Sequence, residues 1–359
     1  MTQIGGFYLG PLDRALPTRF GRIYRPDEAW LSRADSEPVL DPDLAIVDAH
    51  HHLWDLPDYT YLLPQFLADV NTGHRVVGTV FNECHAMYRL EGPPHLKSVG
   101  EVEFANGMAA MCASGVYGRA LVNAGIVGFA DLLSDRFEEV LELQCRYGGG
   151  RFRGVRYAGS WDSDPNIGSS HSGSGPGLYK QHRFQRAVRR LGQLGLSFDA
   201  GVLHTQLNDV AELAAACPDT SIVLCHVGSP TCYGRFRNHA SEVFSSWKDG
   251  MSVLARHENI SVKLGGLIIR LPAYDFGRHD RPLDSTSLAR LWQPYMSHSV
   301  DVFGPGRCML ESNFPVDKIG VGYRTLWNAY KRVFSDYEPS EKEALFSKTA
   351  TRVYRLSLN

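Results

Sequence analysis

Ile46-Val47-Asp48-Ala49-His50-His51-His52-Leu53-Trp54-Asp55 is the stretch whose reading decides the fold. A β-branched run ends in an aspartate and three histidines. Alternate side chains of an extended strand share a face, so the sequence predicts Asp48, His50 and His52 on one side and Ala49 and His51 on the other. Two imidazoles side by side at a strand's carboxyl end suit zinc or a similar metal, and one strand brings them together without further chain ordering. His51, facing away, reads as structural.

Seven more apolar, β-rich runs follow: Val76 to Glu83, Ala120 to Phe129, Phe152 to Tyr157, Ser197 to His204, Ser221 to His226, Ile260 to Leu264, and Arg307 to Asn313. Between them Val99 to Met111, Asp135 to Tyr147, Phe184 to Leu194 and Gln206 to Ala216 carry apolar residues at helical spacing. Strands alternating with helices mark a parallel sheet, and eight such units in one chain predict an α/β fold, a (β/α)8 TIM barrel. Residues 1–43, rich in Pro, Arg and Asp and without clear period, read as an N-terminal arm, and residues 44–359 as the barrel domain. Trp161 to Pro176, irregular and placed after the fourth strand, reads as a lid or specificity loop.

The chain has 359 residues, 43% hydrophobic and 21% charged, with a net charge of −2, which gives no pull toward polyanions and argues against nucleic-acid binding. No apolar run approaches the roughly 18–20 residues that span a bilayer, and the amino terminus lacks a signal-like pattern, so the reading is a cytoplasmic protein without a membrane partner. Seven cysteines without a C-x-x-C pair form neither a disulfide framework nor a zinc finger. Cys225 and Cys308 read as core, Cys84 as partly exposed, and a nucleophilic cysteine has no support.

In a barrel of this kind the active site lies at the carboxyl ends of the strands. Those ends offer His50 and His52, then Asn82 and Glu83, Arg156, His204, His226, Lys263, and finally Glu311, Asn313 and Asp317. Three histidines and a carboxylate make one zinc site with an open position, so His50, His52, Glu83 and His204 are the expected metal ligands. His226 is a fifth ligand, a general acid, or a donor to a substrate oxygen. Arg156 suits a substrate carboxylate, or else ties barrel layers together. Lys263 stabilises an oxyanion, or else forms a buried ion pair with Glu311 or Asp317. Tyr88, just past the second strand, is a further candidate for substrate contact. His74, His95, His171, His182, His239, His257, His279 and His298 read as solvated.

The motifs D-A-H-H-H-L-W-D, G-R-F-R-G-V-R-Y, V-L-C-H-V-G-S-P, V-K-L-G-G-L and M-L-E-S-N-F-P-V-D-K, in this order, resemble the amidohydrolase superfamily. Within it the likeness is to the amidohydrolase-2 branch of TIM-barrel metal-dependent hydrolases that includes sugar and dicarboxylate lactonases. The resemblance implies a hydrolase acting on a small molecule with one divalent metal, zinc above all, although some lactonases of the branch work without it. It places His50 and His52 at the strand-one pair, His204 at the strand-five histidine and His226 at the strand-six histidine.

The family usually ends strand eight with an aspartate that serves as base, and Asn313 stands there in this chain. A neutral amide has no proton to exchange near pH 7, so Glu311, Asp317, Glu83 or His226 must take the role, or the chemistry differs. The resemblance makes lactone opening the expected reaction. A decarboxylase or other lyase on the same barrel and a non-catalytic small-molecule binder are the alternatives. The aromatic, arginine-bearing arm makes a homodimer a reasonable expectation.

Overall fold

The computed structural model describes residues 6–16, 18–271 and 279–358, so the first five residues of the arm lie outside it. Eight parallel strands form one sheet: β1 (Ile46–His51), β2 (Val76–Asn82), β3 (Leu121–Gly128), β4 (Phe152–Arg156), β5 (Ser197–Ala200), β6 (Ile222–Leu224), β7 (Ile260–Leu264) and β8 (Cys308–Leu310). They pair in chain order, and the ring is completed where Asn313 N donates to His50 O at 2.8 Å and His52 N donates to Phe314 O at 2.7 Å. The result is a (β/α)8 TIM barrel.

Helices cover its outside, among them α1 (Leu63–Val70), α2 (Val99–Ala113), α3 (Phe137–Tyr147), α4 (His182–Gln193), α5 (Leu207–Ala216), α6 (Ala240–Leu254), α7 (Ser285–Phe303) and α8 (Tyr323–Val333). The periodic segments of the sequence fall on α2 to α5 within two residues at each end. β5, β6 and β8 are shorter than expected, because the chain leaves the sheet before His204, His226 and Asn313 and carries them on the loops above it.

Strand parity separates two cores. Outward residues such as Ile126, Val155, Phe198 and Val262 pack under the helices. Inward residues Val47, Ala49, Val80, Val127, Val223 and Met309 meet the C-terminal Ala350, Val353 and Tyr354, which plug the barrel from below. No described helix is long and apolar enough to cross a membrane.

The arm crosses the mouth. Phe7, Phe20, Arg22 and Ile23 line the cavity there, with the Phe20 ring 5.8 Å from that of Tyr233 and Thr18 Oγ1 2.7 Å from the Tyr233 hydroxyl. Cys84 is buried rather than partly exposed, because the strand-two loop folds back over it.

Candidate active site at the barrel mouth

β1 does not keep simple alternation. Asp48 faces outward, where Tyr323 on α8 donates to its Oδ2 at 3.1 Å and the Ser312 amide donates to its Oδ1 at 2.8 Å. The pairing with β2 then slips between Asp48 and His51, a bulge that reverses the parity. His50 and His52 therefore turn inward with their Nε2 atoms 3.1 Å apart, while His51 stacks outside on Phe66 at 4.1 Å. The imidazole pair lies as expected, and Asp48 does not share its face.

Behind the cavity wall, His226 Nδ1 lies 2.6 Å from Glu311 Oε1. Its Nε2 has no hydrogen-bond partner among the described residues, and the ring lines the cavity. Two glycines of the β7 loop make this pair possible. A Cβ on Gly266 would meet His226 Nδ1 at 2.4 Å, and one on Gly265 would meet Glu311 Cγ at 2.5 Å. Burial pushes the Glu311 carboxyl up to about 7 against the pull of Lys263 and Arg270. Burial, with Arg270 and Arg156 adding to it, holds His226 well below the usual imidazole range.

Glu311 Oε2 is buried without a hydrogen-bond donor and lies 3.2 Å from His50 Nδ1. His50, His226 and Glu311 each bring a ligand atom within 4.8 Å of the others. An unpaired carboxylate oxygen facing neutral imidazoles is a suitable donor set for a divalent metal, so these residues fit such an ion.

Three expected ligands fall outside that group. His52 lies beside His50 but bonds through Nδ1 to Asn82 O at 2.8 Å. His204 sits in a short turn beyond β5, accepts from Thr231 N at 3.3 Å and packs on Phe236 at 4.9 Å. Glu83 is taken by Arg156, whose Nε donates to Oε1 at 2.7 Å, while Arg156 Nη1 reaches His50 Nε2 at 3.2 Å. Burial raises the Glu83 carboxyl, but Arg156 and His171 outweigh it and hold it well below the usual range. Thus Arg156 spends its fork on tying β4 to β1 and β2, the structural alternative.

Lys263 pairs with Asp199 at 2.8 Å rather than with Glu311 or Asp317, and it also donates to Asn82 Oδ1 at 3.0 Å. Position in the barrel interior decides this, since Asp199 on β5 projects into the same layer as Lys263 on β7. Tyr88 stands behind His85, with ring centroids 5.3 Å apart, and does not line the cavity. Asp317 accepts from Asn313 Nδ2 at 2.8 Å and from Ile268 N, and burial pushes its carboxyl up to about 7. Several histidines expected in solvent are engaged, among them His171 with Glu83 at 2.9 Å, His74 with Lys331 at 3.0 Å, His95 with Glu139 at 3.2 Å and His298 with Lys248 O at 3.3 Å.

The cavity holds about 120 Å³, room for one small ring with a few waters. His52, Arg156, His171, His226, Arg270 and Asn313 give it a polar floor, and Phe7, Phe20, Trp54, Ile23 and Ile269 give it apolar walls. Sequence reasoning missed Arg270, which donates through Nε to Ser229 Oγ at 2.9 Å and through Nη1 to Gly266 O at 2.8 Å. It lies six residues past β7 on a loop, without a strand-end signal.

The family model described as amidohydrolase matches residues 47–356. The chain belongs to the amidohydrolase family. Among curated relatives, the uncharacterized protein y4mH of Sinorhizobium fredii is 28% identical over 336 residues, covering 88% of this chain and 99% of its own length. A protein of Burkholderia multivorans named L-fucono-1,5-lactonase is 26% identical over 234 residues, covering 65% of this chain and 72% of its own length. A crystal structure of a Burkholderia multivorans amidohydrolase with bound zinc superposes with a TM-score of 0.67 at 22% identity, covering 87% of this chain and all of that one. The present amidohydrolase is thus a hydrolase, and its His50, His226 and Glu311 can hold a divalent metal.

Proposed function

We propose that this amidohydrolase opens a lactone or similar cyclic ester of a small organic acid. The observation that carries the reading is the His226–Glu311 pair, set at the cavity wall with His226 Nε2 free. It supplies the base that Asn313 cannot. A water beside Nε2 gives up a proton to it while its oxygen attacks the lactone carbonyl. The acyl carbon–oxygen bond then breaks, and the ring oxygen takes the proton back to give a hydroxy acid. Arg270 stabilises the charge that develops on the carbonyl oxygen. Asn313, with its amide nitrogen spent on Asp317, turns an acceptor to a substrate hydroxyl.

Where a divalent ion, zinc above all, is bound by His50 and Glu311 Oε2, it supplies Lewis-acid polarisation of the carbonyl. The relative named as a lactonase supports this substrate class. A pH-indicator screen of aldonic and dicarboxylic lactones should find ring opening that His226→Asn abolishes. Carbon dioxide release from an aromatic acid, with no lactone opened, overturns the reading.

A further inference from the structure

A second group of ligand atoms lies on the other side of the mouth, separate from the His226–Glu311 pair. Glu83 follows directly on β2, His85 stands two residues later, and His171 descends from the loop after β4; their ligand atoms all lie within 4.8 Å of one another. His171 Nε2 is 3.2 Å and His85 Nε2 is 3.5 Å from Glu83 Oε2. A tetrahedral ion with bonds of about 2.0–2.1 Å has edges of about 3.3 Å between ligand atoms, so these spacings suit one.

His85 is the telling member. It is 8% exposed, yet its Nε2 is buried without a hydrogen-bond partner. Its backbone is held for this role: φ is 61°, and Glu101 Oε1 accepts from the amides on either side, Cys84 N at 2.8 Å and Ala86 N at 2.9 Å. An unpaired buried imidazole nitrogen is a cost that a ligand would remove. Glu83 serves all three neighbours: Oε1 takes Arg156 Nε at 2.7 Å and His171 Nε2 at 2.9 Å, and Oε2 lies between His171 and His85.

We propose that Glu83, His85 and His171 form a second divalent-metal site, of the N₂O class that zinc or cobalt(II) favours, with its fourth position open. Two ligands belong to the β2 end and the third to the 161–176 loop, so the ion ties that loop across the mouth. Ser170 and Ser174 already anchor the loop on both sides of His171, each donating to Ala158 O, at 2.9 and 2.6 Å. The edge of His171 meets Phe7 of the arm at 6.3 Å, so the tie reaches the arm as well. This site does not depend on which ester the enzyme opens.

The test is metal counting on chelator-stripped protein reloaded with zinc or cobalt(II), comparing the wild type with His85→Ala, His171→Ala and His50→Ala. His171 lies on a partly exposed loop, so its variant keeps the fold, which circular dichroism verifies. The expected result is one equivalent fewer ions in His85→Ala and in His171→Ala than in the wild type. Zinc should also slow hydrogen exchange across residues 161–176 in the wild type and leave it unchanged in His171→Ala. Equal ion counts in wild type and both variants overturn the site. So does a single bound ion that only His50→Ala removes, an outcome that leaves the first metal site standing.

Discussion

Glu311 and His226, 85 positions apart, meet at 2.6 Å because β6 and β8 flank β7 and the Gly265-Gly266 turn leaves them room. The pair holds the imidazole ring in one orientation with Nε2 toward the cavity. Removing His226 should cost the proton-transfer step, and removing the Glu311 carboxylate should cost that step and weaken any ion held with His50. Glu311→Gln and His226→Asn are each expected to lower kcat by about 10²–10⁴-fold with KM nearly constant, measured by steady-state kinetics on the lactone that the screen identifies. A KM effect without a kcat effect would assign the pair to binding.

Gly266 tests the same geometry from the backbone. Its φ is +65°, and a Cβ there would meet His226 Nδ1 at 2.4 Å. Gly266→Ala should therefore pay a backbone strain of about 1 kcal/mol and push the ring off Glu311. Activity should fall by at least about tenfold while the fold is kept, as read from kcat beside a urea melt; unchanged kcat would show that the ring has room to move.

Lys263 and Asp199 are fully buried and paired at 2.8 Å, and Tyr354 donates to the same Asp199 Oδ2 at 2.6 Å. Lys263→Met strands a charge in the barrel and should cost about 3–5 kcal/mol in urea unfolding. Adding Asp199→Asn should recover part of that loss. A double variant no better than the sum of the two singles would show that the pair is not coupled.

His51 makes acid stability testable. Burial pushes its imidazole down to about 3, from an ordinary value near 6.5. Between those two values the unfolded chain binds a proton that the folded chain refuses, so stability falls as pH drops from about 6.5 toward 3. One such group gives a slope of up to about 1.4 kcal/mol per pH unit. His51→Gln removes it, and its urea-unfolding free energy should vary less steeply with pH than that of the wild type over that window.

The sequence by itself determined the barrel, and the reason is local: strand runs and helical periods repeat eight times, and each is set by neighbours a few residues away. The β1 histidine pair was legible for the same reason, though the bulge that turns it inward was not. Partner choice was another matter. Glu83 went to Arg156 and Lys263 to Asp199 because strands distant in sequence project into one layer, and a buried charge takes the nearest opposite charge in that layer. His85 and Arg270 lie on loops whose paths no periodicity specifies, so nothing in the chain marked them. Which side chains could stand at the carboxyl ends of the strands was written in the sequence. Only the tertiary structure decided which of them face one another, because closing the ring sets the distances and burial makes those distances count.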